Sequence, residues 1–306
     1  MLDNRVYTFI KLCETRNYTR TSELLHISQP AVSQHIKFLE RELHAKLFYY
    51  DDNKHLQLTP QGSLYLNYAV SAAANAKKIQ DALLNSVNAP HTVSIGAMPS
   101  IGAKILPYVI SEHLKTHEMN FSILNSTNTD MLNMVRTGEL DMAIVSVSPP
   151  DGFVSRILLH DSTLCICSKS HPLAGKTVDI SDLYSQRLLM GYRDSDFQGN
   201  LNEILKQNNS SVSNFKHFVE LGHAAAIKNH LEVSSTAISF MYGLLFQSEL
   251  NRGELKQIYI RNFSSSYSLY LCYLQDAIFR EEYEAFYESF KRYLENQPLQ
   301  LGSFYL

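Results

Sequence analysis

The sequence predicts a small helical N-terminal domain that one long helix joins to a larger α/β domain. Three observations predict this arrangement: two short helical segments between residues 20 and 43, an unbroken helical pattern from residue 60, and strand and helix patterns that alternate from residue 92 onward. A chain of 306 residues is long enough for two or three compact units.

The segment from Arg20 to Leu43 predicts two short helices joined by a tight turn. The first helix and its turn are expected to have an apolar underside formed by Leu24, Leu25 and Ile27. Ser28 then stands where a helix N-cap belongs, and Pro30 lies in the first turn, where a missing N–H costs nothing. The pattern therefore predicts a second helix that begins directly after Ser28.

The second helix has one apolar and one polar face. Its apolar stripe recurs at steps of three and four residues, at Val32, Ile36, Leu39 and Leu43. The opposite face carries side chains that can hydrogen-bond base edges or phosphates: Gln29, Ser33, Gln34, His35 and Lys37. Such a helix is typical of sequence-specific DNA recognition. The alternative interpretation is an ordinary helical hairpin on a protein surface.

A β-hairpin is expected after these two helices. Lys46-Leu47-Phe48 leads into a polar turn from Asp51 to His55, and Leu56-Gln57-Leu58 then alternates apolar and polar residues. This hairpin would form a wing beside the recognition helix, where Lys54 and His55 can touch the DNA backbone or the minor groove. Thr59-Pro60 repeats the pattern of an N-cap followed by proline and predicts the start of a long helix.

The ordered motifs of this region resemble those of the LysR-type transcriptional regulators, and the resemblance extends over all 306 residues. The matching stretches are Tyr7-Thr8-Phe9, Asn17-Tyr18-Thr19-Arg20, Leu24-Leu25-His26-Ile27-Ser28-Gln29-Pro30-Ala31-Val32-Ser33, Leu39-Glu40-Arg41-Glu42-Leu43, Leu47-Phe48 and Leu58-Thr59-Pro60-Gln61-Gly62. The resemblance implies a winged helix-turn-helix domain. Two departures lie in the wing: Tyr50, followed by two acids, stands where the family commonly carries arginine, and the wing is one residue longer than usual.

We predict DNA contacts at Thr19, Arg20, Ser28, Gln29, Pro30, Ser33, Gln34, His35, Lys37 and Lys54. The charge distribution has the expected sign but a small magnitude. Residues 1–90 hold ten Lys+Arg and eight Asp+Glu, a net of +2, whereas residues 91–306 hold seventeen and twenty-two, a net of −5. Because non-specific DNA affinity scales with the number of neutralised phosphates, we expect two or more copies to bind at each site.

The long helix supplies a means of pairing two copies. It is predicted to run from Pro60 to about Asn88, with a heptad-like seam at Tyr65, Ala69, Ala72, Ala76, Ile79 and Leu83. In the LysR-type family such a helix pairs with its counterpart and sets the spacing of two DNA-binding heads. Asn88-Ala89-Pro90-His91 breaks the helix and predicts a hinge. The expected units are a DNA-binding domain at 1–59, a linker at 60–90 and an effector domain at 91–306.

The effector domain is predicted to alternate strands and helices. The expected strands are 93–97, 121–124, 140–145, 156–159, 164–168, 188–192, 215–221, 237–241 and 267–274, and the expected helices are 101–116, 130–137, 200–207, 223–232 and 280–295. The resemblance implies two lobes like those of a periplasmic binding protein. Lobe I would comprise 91–164 and 267–306, and lobe II would comprise 165–266.

A small effector is expected in the crevice beyond the carboxyl ends of the strands, where helix N-termini present free N–H groups. The candidate residues follow predicted strands and are rich in hydroxyls: Ser100, Ile101, Thr127, Asn128, Thr129, Ser146, Ser148, Arg193 and His223. Helix N-termini with hydroxyls favour a small anion over a large apolar molecule. Simple helix capping is the alternative explanation, since Ser, Thr and Asn are common N-caps whatever the function.

Composition excludes several classes of protein. The chain is 45% hydrophobic and 19% charged, which is ordinary for a globular protein, and it has neither a signal-peptide pattern nor a membrane-length apolar stretch. Four scattered cysteines predict no disulfide framework, and a cytoplasmic protein is expected. We find no motif for catalysis, a metal or a cofactor. Cys165 and Cys167 lie on one face of a predicted strand and are expected to be structural.

Two kinds of function remain. The first is a transcription regulator, not an enzyme, that binds double-stranded DNA and a small effector as a homodimer or homotetramer and changes DNA bending and contact with RNA polymerase. The second is a solute-binding or carrier protein whose N-terminal helices serve only oligomerisation. A redox-sensing regulator is a further alternative. No membrane partner is expected.

Overall fold

A computed structural model describes residues 2–84, 92–191, 196–222 and 224–296 of the chain. The N-terminal domain contains helices α1 (Asn4–Thr15), α2 (Tyr18–Leu25) and α3 (Gln29–Glu42), followed by strands β1 (Phe48–Tyr50) and β2 (Leu56–Leu58). The predicted pair of helices, the Ser28 cap and the wing hairpin are confirmed. The Ser28 hydroxyl accepts a hydrogen bond from the Ala31 N–H at 3.3 Å, and β1 pairs with β2 in antiparallel register.

The predicted apolar underside of α2 and its turn is wrong at Leu24, which is 54% exposed, whereas Leu25 and Ile27 are half-buried. The fully buried residues of α2 are instead Thr21 and Ser22. Their hydroxyls donate to the carbonyls of Asn17 and Thr19 within the same helix, so these small side chains are buried without unsatisfied donors. The stripe on α3 is confirmed at Val32, Ile36 and Leu39, whereas Leu43 lies past the end of the helix and is exposed.

Helix α4 (Pro60–Leu84) leaves the wing through a tight contact. The Gly62 N–H donates to the Thr59 hydroxyl at 2.9 Å, and that hydroxyl donates to the Lys46 carbonyl at 2.6 Å. A Cβ at position 62 would lie 2.1 Å from the Leu47 carbonyl oxygen, so only glycine fits here. The start of the linker helix is thereby fixed to the wing. The predicted hinge at 88–91 lies outside the described residues.

The seam of α4 differs from the predicted one in its first half. Tyr65 and Ala69 pack in the core of the N-terminal domain. Leu64 and Tyr68, each one residue earlier in the chain, are exposed instead. The exposed apolar stripe of α4 consists of Leu64, Tyr68, Ile79 and Leu83. This set is called the linker stripe below.

The larger domain is built on one continuous ten-stranded mixed sheet. In chain order its elements are β3 Thr92–Ala97, α5 Pro99–Lys104, α6 Leu106–His113, β4 Asn120–Asn125, α7 Asn128–Arg136, β5 Met142–Val145, β6 Phe153–Ser168, β7 Thr177–Val178, β8 Arg187–Met190, α8 Asp196–Gln207, β9 His217–Glu220, α9 Ala224–Val233, β10 Ala237–Tyr242, α10 Gly243–Asn251, β11 Leu255–Ile260, β12 Ser266–Leu274 and α11 Arg280–Asn296. Most predicted elements are confirmed within a few residues, while α10, β7 and β11 were not predicted.

Strand β6 joins the two lobes. Residues 153–162 pair with β12 apart from one register shift at Leu158. Residues 163–167 pair with β10 on one edge, and residues 165–168 pair with β11 on the other. The prediction of two separate strands at 156–159 and 164–168 is therefore wrong, because partners from both lobes pair along one unbroken strand. Leu159 packs in the core of lobe I, and Cys165 packs in a core of lobe II.

The single helix predicted at 101–116 is also wrong. It divides into α5 and α6 at Ile105, because Pro107 in the first turn of α6 has no N–H with which to continue the preceding helix. As a result, the first residues of α5 lie at the space between the lobes. Among the described residues, no helix is both long enough and apolar enough to cross a lipid bilayer.

Candidate DNA-binding surface and effector cleft

The polar face of α3 is available to a ligand. Gln29, Gln34 and Lys37 are exposed, and Ser33 is half-buried. The opposite face of the helix is buried among the side chains of α1 and α2, which fixes its rotation. The N-terminal half of α3 therefore presents amides and a hydroxyl from a rigid support.

His35 lies on a different face from the one predicted. Its Nδ1 is 2.9 Å from the hydroxyl of Thr8 in α1, and Thr8 is buried. Positions 29 and 33 are about one helical turn apart, whereas position 35 is rotated by about 120° from position 29 and by about 160° from position 33. The structure thus gives His35 a partner inside the domain.

A polar cleft of about 630 Å³ separates the start of α2 from the wing. It is lined by Arg16, Asn17, Tyr18, Thr19, Gln29, Tyr50, Lys54, His55, Leu56 and Gln57. Arg16 was not predicted as a site residue. Its guanidinium donates to the Gln57 side-chain oxygen of the wing at 2.7 Å. In the sequence Arg16 is a single arginine between two predicted helices. It is distant from Lys54 in the chain, and only the fold brings the two residues to one cleft.

The acidic residue at the start of the wing stabilises the turn. The Asp51 carboxylate accepts hydrogen bonds from the N–H groups of His55 at 2.8 Å and Asn53 at 3.0 Å, and from the Gln57 side chain. These hydrogen bonds, of which the one from His55 has the largest effect, hold the pKa of Asp51 below its usual value. Asp51 is therefore engaged inside the turn, which leaves the exposed Asp52 and Lys54 as the charged groups of the wing tip.

A second cleft, of about 350 Å³, lies between the two lobes. Lobe I contributes the turn after β3 and the turn after β4: Met98, Pro99, Ser100, Asn125, Ser126 and Thr127. Lobe II contributes Gly191, Phe197, Leu221, Gly222, Ala224, Ile227, Met241, Tyr242 and Leu245. The predicted Ser100 and Thr127 thus meet in one cleft, at the carboxyl ends of neighbouring parallel strands.

The polar edge of this cleft is the start of α7. The Thr127 hydroxyl caps the helix by accepting from the Asp130 N–H at 3.2 Å, and it lies 2.8 Å from the Asp130 carboxylate. Ser126 lies 3.3 Å from the same carboxylate oxygen. These two hydroxyls are therefore engaged by Asp130, whereas Ser100 in α5 stands beside them without that acid.

Of the seven predicted effector residues that the structure describes, Ser100 and Thr127 line the cleft and five do not. Ile101 is 2% exposed and packs in the core of lobe I, because α5 turns it toward the sheet. Thr129 and Ser148 are exposed outside the cleft.

Two more predicted residues form a structural pair. The Asn128 amide donates to the Ser146 hydroxyl at 3.1 Å, and its oxygen accepts from the Ser146 N–H at 3.0 Å. This pair joins the start of α7 to the end of β5. Arg193 and His223 lie outside the described residues.

The apolar wall of the cleft was not predicted. Phe197 packs edge-on against Tyr242 with ring centroids 5.0 Å apart, and Leu221, Ile227 and Leu245 extend the same wall. These residues come from α8, the segment after β9, α9, β10 and α10, so no local pattern marks them as neighbours. The cleft therefore pairs a hydroxyl-rich edge in lobe I with an apolar wall in lobe II.

Charged residues connect the helices around this cleft. Lys104 of α5 reaches across to α10, where it donates to the Leu245 carbonyl and lies 3.6 Å from the Glu249 carboxylate. Lys228 of α9 lies 3.0 Å from the same carboxylate. Burial raises the pKa of Glu249, but hydrogen bonds from Ser248 and Lys228 and the charge of Lys104 outweigh it and lower the pKa to about 2. Glu249 is therefore ionised at neutral pH.

The cysteines lack the properties of a redox sensor. All four are free thiols, and Cys165, Cys167 and Cys272 are buried. Burial raises the pKa of both Cys167 and Cys272 to about 12. Because the thiolate is the reactive form, these buried positions disfavour the redox alternative.

Two family models match the chain. The N-terminal helices and wing match the bacterial regulatory helix-turn-helix protein, lysR family, over residues 4–63, and the larger domain matches the LysR substrate binding domain over residues 88–295. The chain belongs to the LysR family. It is a LysR-type transcriptional regulator with an effector-binding domain, and the regulators of this family bind DNA and small-molecule effectors and form oligomers.

Individual relatives agree with this assignment. A probable RuBisCO transcriptional regulator of Thalassiosira pseudonana is 27% identical over 91% of this LysR-type chain and 93% of its own. The HTH-type transcriptional regulator CysL of Bacillus subtilis is 25% identical over 84% and 86%. Full-length LysG from Corynebacterium glutamicum with bound effector Arg shares the fold, with a TM-score of 0.60 at 15% identity over 95% of this chain and 99% of that one.

Proposed function

We propose that this LysR-type regulator reads an operator by inserting α3 into the DNA major groove. The observation that carries the proposal is the exposed polar face of α3, with Gln29, Ser33 and Gln34, on a helix whose other face is buried. Amide side chains pair with adenine and hydroxyls pair with several base edges, so this face suits direct readout. Arg20 and Lys37 flank it as phosphate contacts.

A second set of phosphate contacts lies in the cleft between α2 and the wing. Arg16 and Lys54 line this cleft together with Thr19 and the Asn17 cap of α2. The backbone N–H groups at the start of a helix favour an anion, and two cations beside them add to that preference. We propose that one DNA phosphate group lies here in each head. The first turn of α3, which contains Pro30, would then lie against the neighbouring part of the DNA backbone.

Two heads are brought together by the linker stripe. Leu64, Tyr68, Ile79 and Leu83 are all more than 45% exposed and recur along one side of α4. We propose that a second copy of the helix covers them in a homodimer. The two α3 helices would then occupy successive major grooves, about one helical turn of DNA apart. Two such dimers can form a tetramer through their effector domains.

The effector is proposed to be a small carboxylic acid with an apolar body. Its apolar part would lie against Phe197, Ile227 and Tyr242, and its carboxylate would lie at the turn into α5 beside Ser100. The Thr127 edge is less suited to the charge, since Asp130 already holds its hydroxyl. Binding would change the angle between the lobes and, through the dimer, DNA bending and contact with RNA polymerase.

The DNA proposal is tested by a gel-shift with the upstream region of the chain's own gene and a random duplex of equal length. Preferential binding to the upstream region supports it. Ligand binding by the effector domain with no preference between the two duplexes would instead support the solute-binding or carrier alternative.

The effector proposal is tested by a thermal-shift screen of aliphatic and aromatic carboxylates, each beside its neutral amide. A ligand that binds the folded state raises the unfolding midpoint by mass action. We expect an acid to act and its amide to fail, Ser100→Ala to reduce the shift, and the exposed control Ser148→Ala to keep it. Equal shifts for acid and amide would overturn the anionic effector.

A further inference from the structure

A buried ion pair fixes the linker helix to lobe I. The Lys78 ammonium of α4 lies 2.9 Å from the Asp141 carboxylate, and the two side chains are 9% and 6% exposed. The buried Tyr283 of α11 donates its hydroxyl to the same carboxylate at 2.5 Å. The N–H and hydroxyl of Ser94 in β3 donate to its second oxygen at 2.7 and 2.6 Å. Asp141 thus joins the linker helix to two elements of lobe I, β3 and α11.

The surfaces around this pair fit closely. Gly138 has a φ of +75°, and a Cβ there would lie 2.7 Å from the Cα of Ala74 in α4. Ala74 is fully buried in the core of lobe I. One residue further along α4, the Asn75 amide donates to the Asp276 carbonyl at 2.7 Å. The linker helix therefore packs as part of the lobe over these residues.

The same contact is continuous with the effector cleft. Helix α7 begins after the Thr127 N-cap, which lines the cleft, and ends at Arg136, followed by the Thr137 C-cap directly before Gly138. Its nine residues span about 13 Å at 1.5 Å per residue. Strand β5 runs between the same two places, because it starts after Asp141 and its end is joined to α7 by the Asn128–Ser146 bonds.

We propose that the linker seat, defined as Gly138, Asp141 and Tyr283 against Ala74 and Lys78, transmits the state of the effector cleft to the linker helix through α7. The proposal rests on the proposed effector site, since it gives that site a route to the DNA-binding heads. A shift of the α7 cap displaces the Gly138 turn, and the close fit to Ala74 converts the displacement into a movement of α4. Packed side chains, buried ion pairs and rigid secondary structure are the elements that carry such coupling in proteins.

The proposal is tested on the full-length protein without DNA or ligand, by hydrogen exchange with mass spectrometry. Coupling between two sites is reciprocal, so loosening the linker end must loosen the cleft end. We expect Lys78→Met to accelerate exchange of the amides at 129–133 by about fivefold or more. The matched control is Lys77→Met, which changes the neighbouring exposed lysine on the same helix and should leave these amides at the wild-type rate.

A second variant keeps the test decisive in case Lys78→Met does not fold. Gly138→Ala leaves every group of the ion pair in place and separates the two surfaces through steric contact with Ala74 and through backbone strain at its left-handed φ, and the same acceleration at 129–133 is expected. Faster exchange in α4 with wild-type rates at 129–133, in both variants, would overturn the proposal and leave the seat a purely structural contact. Because neither DNA nor effector is present, a failure of the proposed operator or effector binding would be seen in other experiments.

Discussion

The pair of cations in the cleft beside the wing gives a prediction whose size can be worked out. Arg16 and Lys54 share one cleft in each head, and one phosphate is proposed to lie in each cleft, so a dimer makes two such phosphate contacts. Each phosphate contact contributes about 0.9 to the slope of log affinity against log salt concentration. The double variant Arg16→Gln/Lys54→Gln should therefore reduce that slope by about 1.8.

Fluorescence anisotropy with a labelled random duplex measures this slope. Between about 50 and 200 mM salt, the wild type should lose about 12-fold more affinity than the double variant. The matched control is Lys115→Gln, which removes an exposed lysine paired with Glu112 in the effector domain. A change in slope below about one, or a change equal to that of the control, would refute the assignment of Arg16 and Lys54 to phosphates.

Two further predictions concern stability and assembly. Burial, and then the charge of His117, lower the pKa of His113 from 6.5 to about 4, so its stabilising effect is present above pH 6.5 and is lost as the pH falls toward 4. Between pH 7 and pH 5 the free energy of unfolding should fall by about 2 kcal/mol through this group. In urea denaturation His113→Asn should lack this pH-dependent loss, and the control His117→Gln should keep most of it. Identical pH profiles for the wild type and His113→Asn would contradict the assignment. Tyr68→Glu should place a charge in the linker stripe and weaken the affinity of the dimer at least about tenfold in analytical ultracentrifugation. The control Tyr108→Glu, at an exposed position of α6, should leave the dimer affinity unchanged. An unchanged dimer affinity in Tyr68→Glu would exclude this face of α4 as the dimer interface.

The sequence was most informative where function and local structure coincide. Ser28 and Pro30 mark the start of α3 through capping chemistry alone, and the period of Val32, Ile36 and Leu39 fixes its buried face. Both features depend on residues close together in the chain. The recognition helix was therefore predictable to within one residue.

Tertiary packing decided the features that were missed. Helix α2 buries Thr21 and Ser22 and exposes Leu24, because small hydroxyl residues bonded to their own helix allow closer packing with its neighbours than leucine does. The linker stripe was shifted by one residue for a related reason, since the N-terminal core takes up Tyr65 and Ala69. Hydrophobic period alone does not show which of two partners a helix face will meet.

The effector cleft was half-predictable. Its lobe I edge follows two parallel strands, so Ser100 and Thr127 could be placed together from the rule for open α/β sheets. Its apolar wall is assembled from Phe197, Ile227 and Tyr242, which are separated in the chain and have no shared pattern. Such a wall exists only once β8, β9 and β10 are aligned in the sheet.

Base readout by α3 is measured most directly by comparing the losses of affinity that Gln29→Ala and Ser33→Ala cause on operator DNA and on a random duplex of equal length. Each lost base contact is worth about 1–3 kcal/mol, so operator affinity should fall about tenfold or more while random-duplex affinity stays within about twofold. Equal losses on both duplexes would show that α3 contacts only the backbone and would contradict sequence reading by this helix.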